Sequence, residues 1–442
     1  MSDALFTDLY ELTMMAGYLD AGRAEVEATF DLFFREPPAG IDVVVAAGLD
    51  PALDYLEQLA FDGGDIDYLR AQATLPDRFL EWLPQLRFTG EVWAVPEGTP
   101  VFGHEPLLRV TAPLGQAQLV ETALLNRICY SSLVASNASQ IVAAAGGKPI
   151  LEFGARRAHG PNGALTAARA AIIGGCAATS NVQAGHLFDV PTSGTQAHSW
   201  IMAFESELEA FRAYARTFPG RCILLVDTYD TLGSGLPNAI IVARELARQG
   251  HRLAGIRLDS GDIGRLACHA RRMLDDAGFA DAKILASGDL DARSIARLEA
   301  RGAPIDGYGV GTALVTARHD PTFSGVYKLA EIGGRPVLKI SGSAEKTTSP
   351  GCKQVWRRDS VDVIGLADEA LEGQPLLGHV MAGGRRLTGP VPLAELRERC
   401  LAAVAEMRPK ILATGFQVRR SERLEALTTR LIRQLRNGSA KT

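Results

Sequence analysis

Short apolar runs that end in small or polar residues recur along the middle of the chain and set the first expectation about its architecture. From about Ile150 the runs are PILEFGAR, AIIGGCAATSN, LFDVPTSGTQAHS, CILLVDTYD, AGIRLDSGD, KILASGDLD and IDGYGVGT, with helical segments between them. Such runs read as buried strands. Strands that alternate with helices are parallel, because parallel neighbours need a long crossover connection. Doubly wound sheets and barrels both satisfy that rule. Every run end carries reactive or anion-binding groups, and a barrel gathers its strand ends on one rim, whereas an open sheet concentrates ligands at one switch point. The pattern therefore predicts an irregular α/β barrel over residues 135–335.

The flanking segments have a different pattern. Residues 1–134 combine an amphipathic segment near Asp8 to Leu19, alternation in EATFDLFFRE and a β-rich stretch in FTGEVWAVPEGTPVFG, which predicts an α+β domain. Beyond the barrel, GVYKLAEIGGRPVLKIS reads as a hairpin around Gly333-Gly334, and VDVIGLA as a further strand. Residues 336–442 are expected to return to the N-terminal domain and to end in helices, the last with Leu424, Leu427, Leu431 and Leu435 on one face.

Composition narrows the function classes. A chain of 442 residues is long for one core, and 47% hydrophobic with 22% charged residues is the balance of a soluble globular protein. Forty-six basic against 51 acidic residues leave a net charge of −5, with no basic excess to draw the protein onto nucleic acid or a membrane surface. Anionic ligands must then be bound locally. The six cysteines are scattered singly, with no C-x-x-C pair, which argues against zinc or a disulfide framework and for a reducing cytoplasm. MSDALFTDLYELTMMAGY has neither a basic leader nor an uninterrupted apolar stretch, so it reads as neither a signal peptide nor a membrane span.

The predicted rim carries carboxylates (Asp227, Asp230, Asp259, Asp262, Asp289, Asp291), cations (Arg156, Arg157, Arg257) and glycine turns. A substrate with phosphates and a developing positive charge needs this mixture. Glycines in Ser287-Gly288-Asp289 and in Gly307 to Thr312 let backbone N–H groups approach phosphate oxygens, and a following helix N-terminus adds a favourable dipole. Asp230 and Asp262 serve equally well as helix caps. Asp227 and Asp259 directly follow buried runs, where a carboxylate is costly without a partner; a Mg²⁺–phosphate complex or ribose hydroxyls would supply one. Arg257 suits a carboxylate or phosphate ligand, or a structural pair with a neighbouring acid. Among eight histidines, His198 in GTQAHSW has the most informative surroundings. A lone histidine is still more often structural, and His104, His251, His269 and His379 are read that way.

Taken in order, TDLYELTMMAGY, FGARRAHG, GTQAHSW, DTYDTLGSG, IRLDSGD, ASGDLDA, GYGVGT and KTTSPGCKQVWR resemble the nicotinate phosphoribosyltransferases, of the type II phosphoribosyltransferase fold, from residue 7 to about 358. The resemblance implies that nicotinate, phosphoribosyl pyrophosphate and ATP as co-substrate give nicotinate mononucleotide, pyrophosphate, ADP and phosphate, with Mg²⁺, in NAD salvage. It implies a homodimer whose Tyr10 stacks on the pyridine from the partner subunit, opposite Phe153. Arg156, Ser180 and Thr195 are implied near the nicotinate or its ribosyl partner, and Arg257 at the substrate. Asp227 and Asp259 are implied near ribose, pyrophosphate and metal, the metal contact being indirect. Ser287, Gly288, Asp289, Gly311 and Thr312 correspond to the 5′-phosphate and ribose cradle, Lys353 to a basic residue over the nucleotide phosphates, and His198 to the histidine that ATP phosphorylates. Two departures are Ala177-Ala178 in GGCAATSN, where relatives often have a bulkier residue and glycine, and SAEKTTSPGCKQ, a variant of a lysine-rich loop. Three rival readings are a nicotinamide phosphoribosyltransferase, a quinolinate phosphoribosyltransferase and a non-catalytic metabolite-binding barrel. Ser180 weighs against the first, since nicotinamide enzymes carry an acid there and an acid would repel a carboxylate substrate.

Overall fold

Six of the apolar runs fold as parallel strands: Ile150–Glu152, Ala178–Thr179, Ile223–Leu225, Gly255–Leu258, Lys283–Ala286 and Gly307–Val310. In this computed structural model, which describes residues 3–340 and 348–439, the chain divides into two units. Residues 137–319 form the barrel unit, and the remainder forms the other. The strand order is that of a barrel left open between two of its strands. The first strand in the chain, Ile150–Glu152, pairs with the last, Gly307–Val310, and the ladder continues through Lys283–Ala286 and Gly255–Leu258 to Ile223–Leu225. Ala178–Thr179 lies on the other side of Ile150–Glu152. No ladder joins Ala178–Thr179 to Ile223–Leu225, so the α/β barrel is irregular.

Two runs differ from their reading as strands. Ala171, Ile172 and Ile173 finish the helix Gly160–Ile173, and only Ala178–Thr179 is extended after the Gly174-Gly175 turn. The run LFDVPTSGTQAHS contributes one bridge, Thr192 to Thr179. Pro191 has no N–H to give a ladder, and the segment continues as an irregular rim up to the helix His198–Met202. The barrel unit also ends before 335, because Gly325–Ile332 pairs antiparallel with Glu27–Phe34.

The second unit is built on a seven-stranded sheet whose centre is Gly325–Ile332, Glu27–Phe34, Leu108–Pro113 and Glu91–Ala94, in that order. Alternation in EATFDLFF puts Phe30, Leu32 and Phe34 at 3% exposure or less, and Phe30 stacks on Tyr327 with ring centroids 4.8 Å apart. The hairpin turns at Gly333 and Gly334, both at positive φ, and VDVIGL is a strand over Val361–Leu366. In the last helix, Glu422–Ser439, Leu424 and Leu427 are buried and Leu431 packs on the core, while Leu435 is exposed. No described helix is long and apolar enough to cross a membrane, and none of the six cysteines is in a disulfide among the described residues.

Lys353 does not present its charge to a ligand. It begins the strand Lys353–Arg358 and is 3% exposed, with Nζ 2.6 Å from Oδ2 of the equally buried Asp31. Its other two N–H bonds go to the carbonyls of Ser349 (2.8 Å) and Gly351 (2.7 Å). An ammonium has three donors, and here the protein takes them all. Residues 341–347, the first part of the SAEKTTSPGCKQ loop, lie outside the described residues. Lys353→Ala, by leaving Asp31 buried without its cation, is expected to cost about 3–5 kcal/mol in urea unfolding. Pairing Lys353→Met with Asp31→Leu should recover most of that loss. An unchanged midpoint for Lys353→Ala would contradict the structural role.

Candidate active site

The rim is assembled from the turn after each barrel strand. Phe153 follows Ile150–Glu152 directly, and its N–H donates to Val310 O at 2.8 Å. Its ring lies across the neighbouring strand, where a Cβ on residue 309 would sit 2.5 Å from the ring carbons. Only glycine fits at 309. The single turn Ala155–Arg157 then carries Arg156 and Arg157 into the rim.

One cavity of about 300 Å³ opens there, with Arg156, Arg157 and Arg257 on one side. Ser287, Gly288, Asp289, Gly311 and Thr312 complete it, together with Phe153 and Asp259. Gly288 has φ +86°, and a Cβ on it would meet the Asp259 carbonyl oxygen at 1.9 Å. This turn therefore presents bare backbone to the cavity. The helix dipole expected behind it is not free. Asp291 caps the helix Ala292–Ala300 by accepting from Ser294 N, and the helix after Gly311, Thr312–Val315, is only one turn long. Asp289 is held by Arg318 Nη1 at 2.7 Å.

A second cavity, of about 360 Å³, shares Phe153, Arg156, Arg257 and Asp259 with the first and adds Ser180, Thr195 and His198. Arg257 is thus in the common wall. Its Nη1 lies 3.2 Å from both Asp259 Oδ1 and Ser287 Oγ, its Nη2 donates to Gln196 O at 2.5 Å, and its Nε is buried without a partner. Burial pulls its pKa below the usual arginine value, Asp259 and Asp227 oppose that shift, and Arg156 adds to it. Asp227 does not line either cavity but supports the wall: Oδ2 accepts from Asp259 N (2.8 Å) and Ser260 Oγ (2.7 Å), and Oδ1 is buried with no partner among the described residues. His198 Nδ1 is 3.1 Å from Thr228 Oγ1, and Nε2 is 3.7 Å from Asp259 Oδ2.

Asp230 and Asp262 take the capping alternative, on Leu232 and Gly233 N and on Arg265 N. Tyr10 belongs to the other unit, on the helix Leu9–Asp20, and is 45% exposed. Partial burial, then the charges of Glu121, Glu11 and Asp8, push its phenol up to about 12, so it stays protonated at neutral pH. Gln196 and Thr228 join the rim without having been singled out from the sequence. Thr228 and Gln196 had a signal there, since each stands beside a candidate residue in its motif.

Two family models match the chain: the nicotinate phosphoribosyltransferase N-terminal domain over residues 5–129, and the nicotinate phosphoribosyltransferase family over residues 149–370. The nicotinate phosphoribosyltransferase of Bacillus subtilis is 47% identical over 387 residues, covering 85% of this chain and 78% of that one. Nicotinate phosphoribosyltransferase pncB2 of Mycobacterium tuberculosis is 45% identical over 394 residues, covering 88% and 84%. The crystal structure of human nicotinic acid phosphoribosyltransferase superposes with a TM-score of 0.86 at 32% identity, covering 96% of this chain and 99% of that one. Nicotinate-nucleotide pyrophosphorylase from Pyrococcus furiosus shares the fold, with a TM-score of 0.76 at 24% identity.

The Gly288 turn gives a test independent of any reaction. Gly288→Ala is expected to fold but to lose binding of inorganic pyrophosphate in titration calorimetry, because the loop must move off the Asp259 carbonyl. Wild-type affinity in the variant would show that this turn is not an anion cradle.

Proposed function

The chain belongs to the nicotinate phosphoribosyltransferase family, and we propose how the rim of its barrel carries out the reaction. Nicotinate and phosphoribosyl pyrophosphate give nicotinate mononucleotide and pyrophosphate, a step of NAD salvage. One observation carries the assignment of parts: two adjoining cavities share Phe153, Arg156, Arg257 and Asp259, and one adds Arg157 and the glycine turns at Gly288 and Gly311 while the other adds Ser180, Thr195 and His198. The first suits phosphoribosyl pyrophosphate, with Gly288, Asp289, Gly311 and Thr312 at the 5′-phosphate and ribose. The second suits the pyridine, with Ser180, Thr195 and Arg156 toward its carboxylate. The bond between ring nitrogen and anomeric carbon then forms at the common wall.

Departure of pyrophosphate builds positive charge on the ribose, and the ring nitrogen attacks from the opposite face with inversion. Positioning and electrostatics supply the rate: Phe153 aligns the ring, and the Asp227 and Asp259 carboxylates favour the cationic transition state. Arg156, Arg157 and Arg257 receive the charge on the phosphates. For Mg²⁺, the residues fit a largely indirect site. Asp227 Oδ1 is a buried oxygen without a partner, and no cluster of three metal-binding side chains occurs among the described residues. Mg²⁺ commonly takes one or two carboxylates and fills its shell with phosphate oxygens and water. When bound, it neutralises charge on the leaving pyrophosphate.

His198 is the residue that couples ATP to this step. The γ-phosphoryl group passes to the imidazole with release of ADP, and water later cleaves the N–P bond to give phosphate. The modification adds charge and acceptor oxygens beside Arg257 and Asp259. The active form is a homodimer, with Tyr10 of a second copy covering the open face of the pyridine. Exposed Phe6, Leu9 and Tyr10 on one stretch support this, since such side chains favour cover. Six cysteines outside any disulfide support a cytoplasmic location.

Pyrophosphate release from phosphoribosyl pyrophosphate, measured with nicotinate, nicotinamide or quinolinate and with or without ATP, tests the reading. Nicotinate is expected to be preferred and ATP to stimulate; preference for nicotinamide would refute the assignment of Ser180. His198→Ala should keep a basal rate but lose the stimulation, and full stimulation in that variant would remove histidine from the coupling.

A further inference from the structure

Glu152 ends the first barrel strand at 1% exposure, and no step above uses it. A buried carboxyl is costly unless hydrogen-bonded. Burial raises its pKa, while bonds from Thr179 and Gly154 oppose the rise. Those bonds have a definite direction. Oε1 accepts the Gly154 N–H, and Oε2 lies 2.5 Å from Thr179 Oγ1. The Thr179 oxygen itself accepts Asn181 N–H at 3.0 Å, so its own proton is the one given to Glu152. The backbone adds two ties: Ser180 N donates to Glu152 O at 2.8 Å, and Ser193 N donates to Thr179 O at 2.9 Å.

Besides Arg257 and Asp259, three chain segments line the 360 Å³ cavity, around Phe153 to Arg156, at Ser180, and from Gly194 to His198. The first is tied to the Glu152 carboxyl through Gly154 N, the second to the Thr179 hydroxyl through Asn181 N, and the third reaches Thr179 through its backbone carbonyl and Ser193 N. Ile150–Glu152 and Ala178–Thr179 share only two register pairs, too short a ladder to fix their trailing turns alone. The Glu152–Thr179 bond and the Gly154 N–H held by Glu152 add to the backbone ties in setting how Phe153, Arg156 and Ser180 face one another. We propose that Glu152, acting through Thr179, is a positioning residue that holds these three groups in the geometry that binds the pyridine substrate. It does not touch the substrate. The inference rests on assigning this cavity to the pyridine.

The test varies nicotinate and phosphoribosyl pyrophosphate separately in steady-state kinetics of the full chain, with each variant checked for folding by thermal melting. Glu152→Ala and Thr179→Val are each expected to raise KM for nicotinate about tenfold or more while KM for phosphoribosyl pyrophosphate stays within about twofold. Glu152→Gln keeps an acceptor for Gly154 N and the shape of the side chain, so it should rescue most of the loss seen with alanine. Combining Glu152→Ala with Thr179→Val should be little worse than either alone, because both break one linkage. Folded variants with an unchanged nicotinate KM, or with both KM values raised equally, would overturn the proposal. If Glu152→Ala does not fold, Thr179→Val, which removes one hydroxyl, decides on the same readout. Ser180→Ala and Arg156→Ala separate the premises. If neither moves KM for nicotinate, the assignment of the cavity fails; if they move it and the Glu152 and Thr179 variants do not, only the positioning role fails.

Discussion

A single buried guanidinium, that of Arg257, sets the terms for the whole rim. Its side chain is 13% exposed, and burial works against its charge. Keeping it ionised requires acceptors close by, and they come from three places: Asp259 two residues on, Ser287 after the next strand, and the carbonyl of Gln196 in the irregular segment before the third strand. Neutralising one charge therefore ties together the turns that line both cavities. Asp227, in turn, fixes Asp259 through its backbone N–H, so the acid that balances Arg257 is itself held from the neighbouring strand end. The N–H at Nε remains buried without an acceptor among the described residues.

Topology makes those ties possible. Pairing of Ile150–Glu152 with Gly307–Val310 brings the start and the end of the barrel together, so that Phe153 lies beside Gly309 and Gly311. The close contacts forbid a side chain at 309 and leave backbone facing the cavity at 288. Main chain at Gly288, Gly309 and Gly311 therefore belongs to the first cavity, while the Phe153 ring is common to both.

Much of this was legible in the sequence because apolar runs report burial directly. The runs at Ile223–Leu225, Gly255–Leu258, Lys283–Ala286 and Gly307–Val310 gave strands, and the polar residues just after them gave most of the cavity walls. A carboxylate that follows a buried run needs a partner, which marks Asp227 and Asp259 in the sequence and holds equally for Glu152 inside PILEFG. Periodicity failed where composition was ambiguous. Ala171 to Ile173 are as apolar as a strand, but an alanine-rich lead-in makes them the last turn of a helix. Pro191 made the neighbouring run irregular for a reason local to the backbone. Hydrogen-bond partners far apart in the chain, such as Thr179 with Glu152 or Gln196 O with Arg257, leave no trace in spacing.

Lys353 and Arg257 show why residue type and motif do not separate a structural cation from one that meets a ligand. Both are basic, both stand in motifs of the family, and both are largely buried. The difference lies in donor accounting. The three N–H bonds of Lys353 all end on protein, at Asp31, Ser349 and Gly351, and its charge is cancelled 2.6 Å away by a carboxylate on a strand of another sheet. Arg257 spends its terminal nitrogens on Asp259, Ser287 and Gln196 but keeps Nε, and its guanidinium lies in the wall of two cavities rather than behind one. A planar fork with five donors can stay anchored and still bind, whereas an ammonium with three donors, once anchored three times, has nothing left to offer. That count, which only the folded chain provides, assigns Lys353 to a buried ion pair between two sheets and leaves Arg257 in the wall of both cavities.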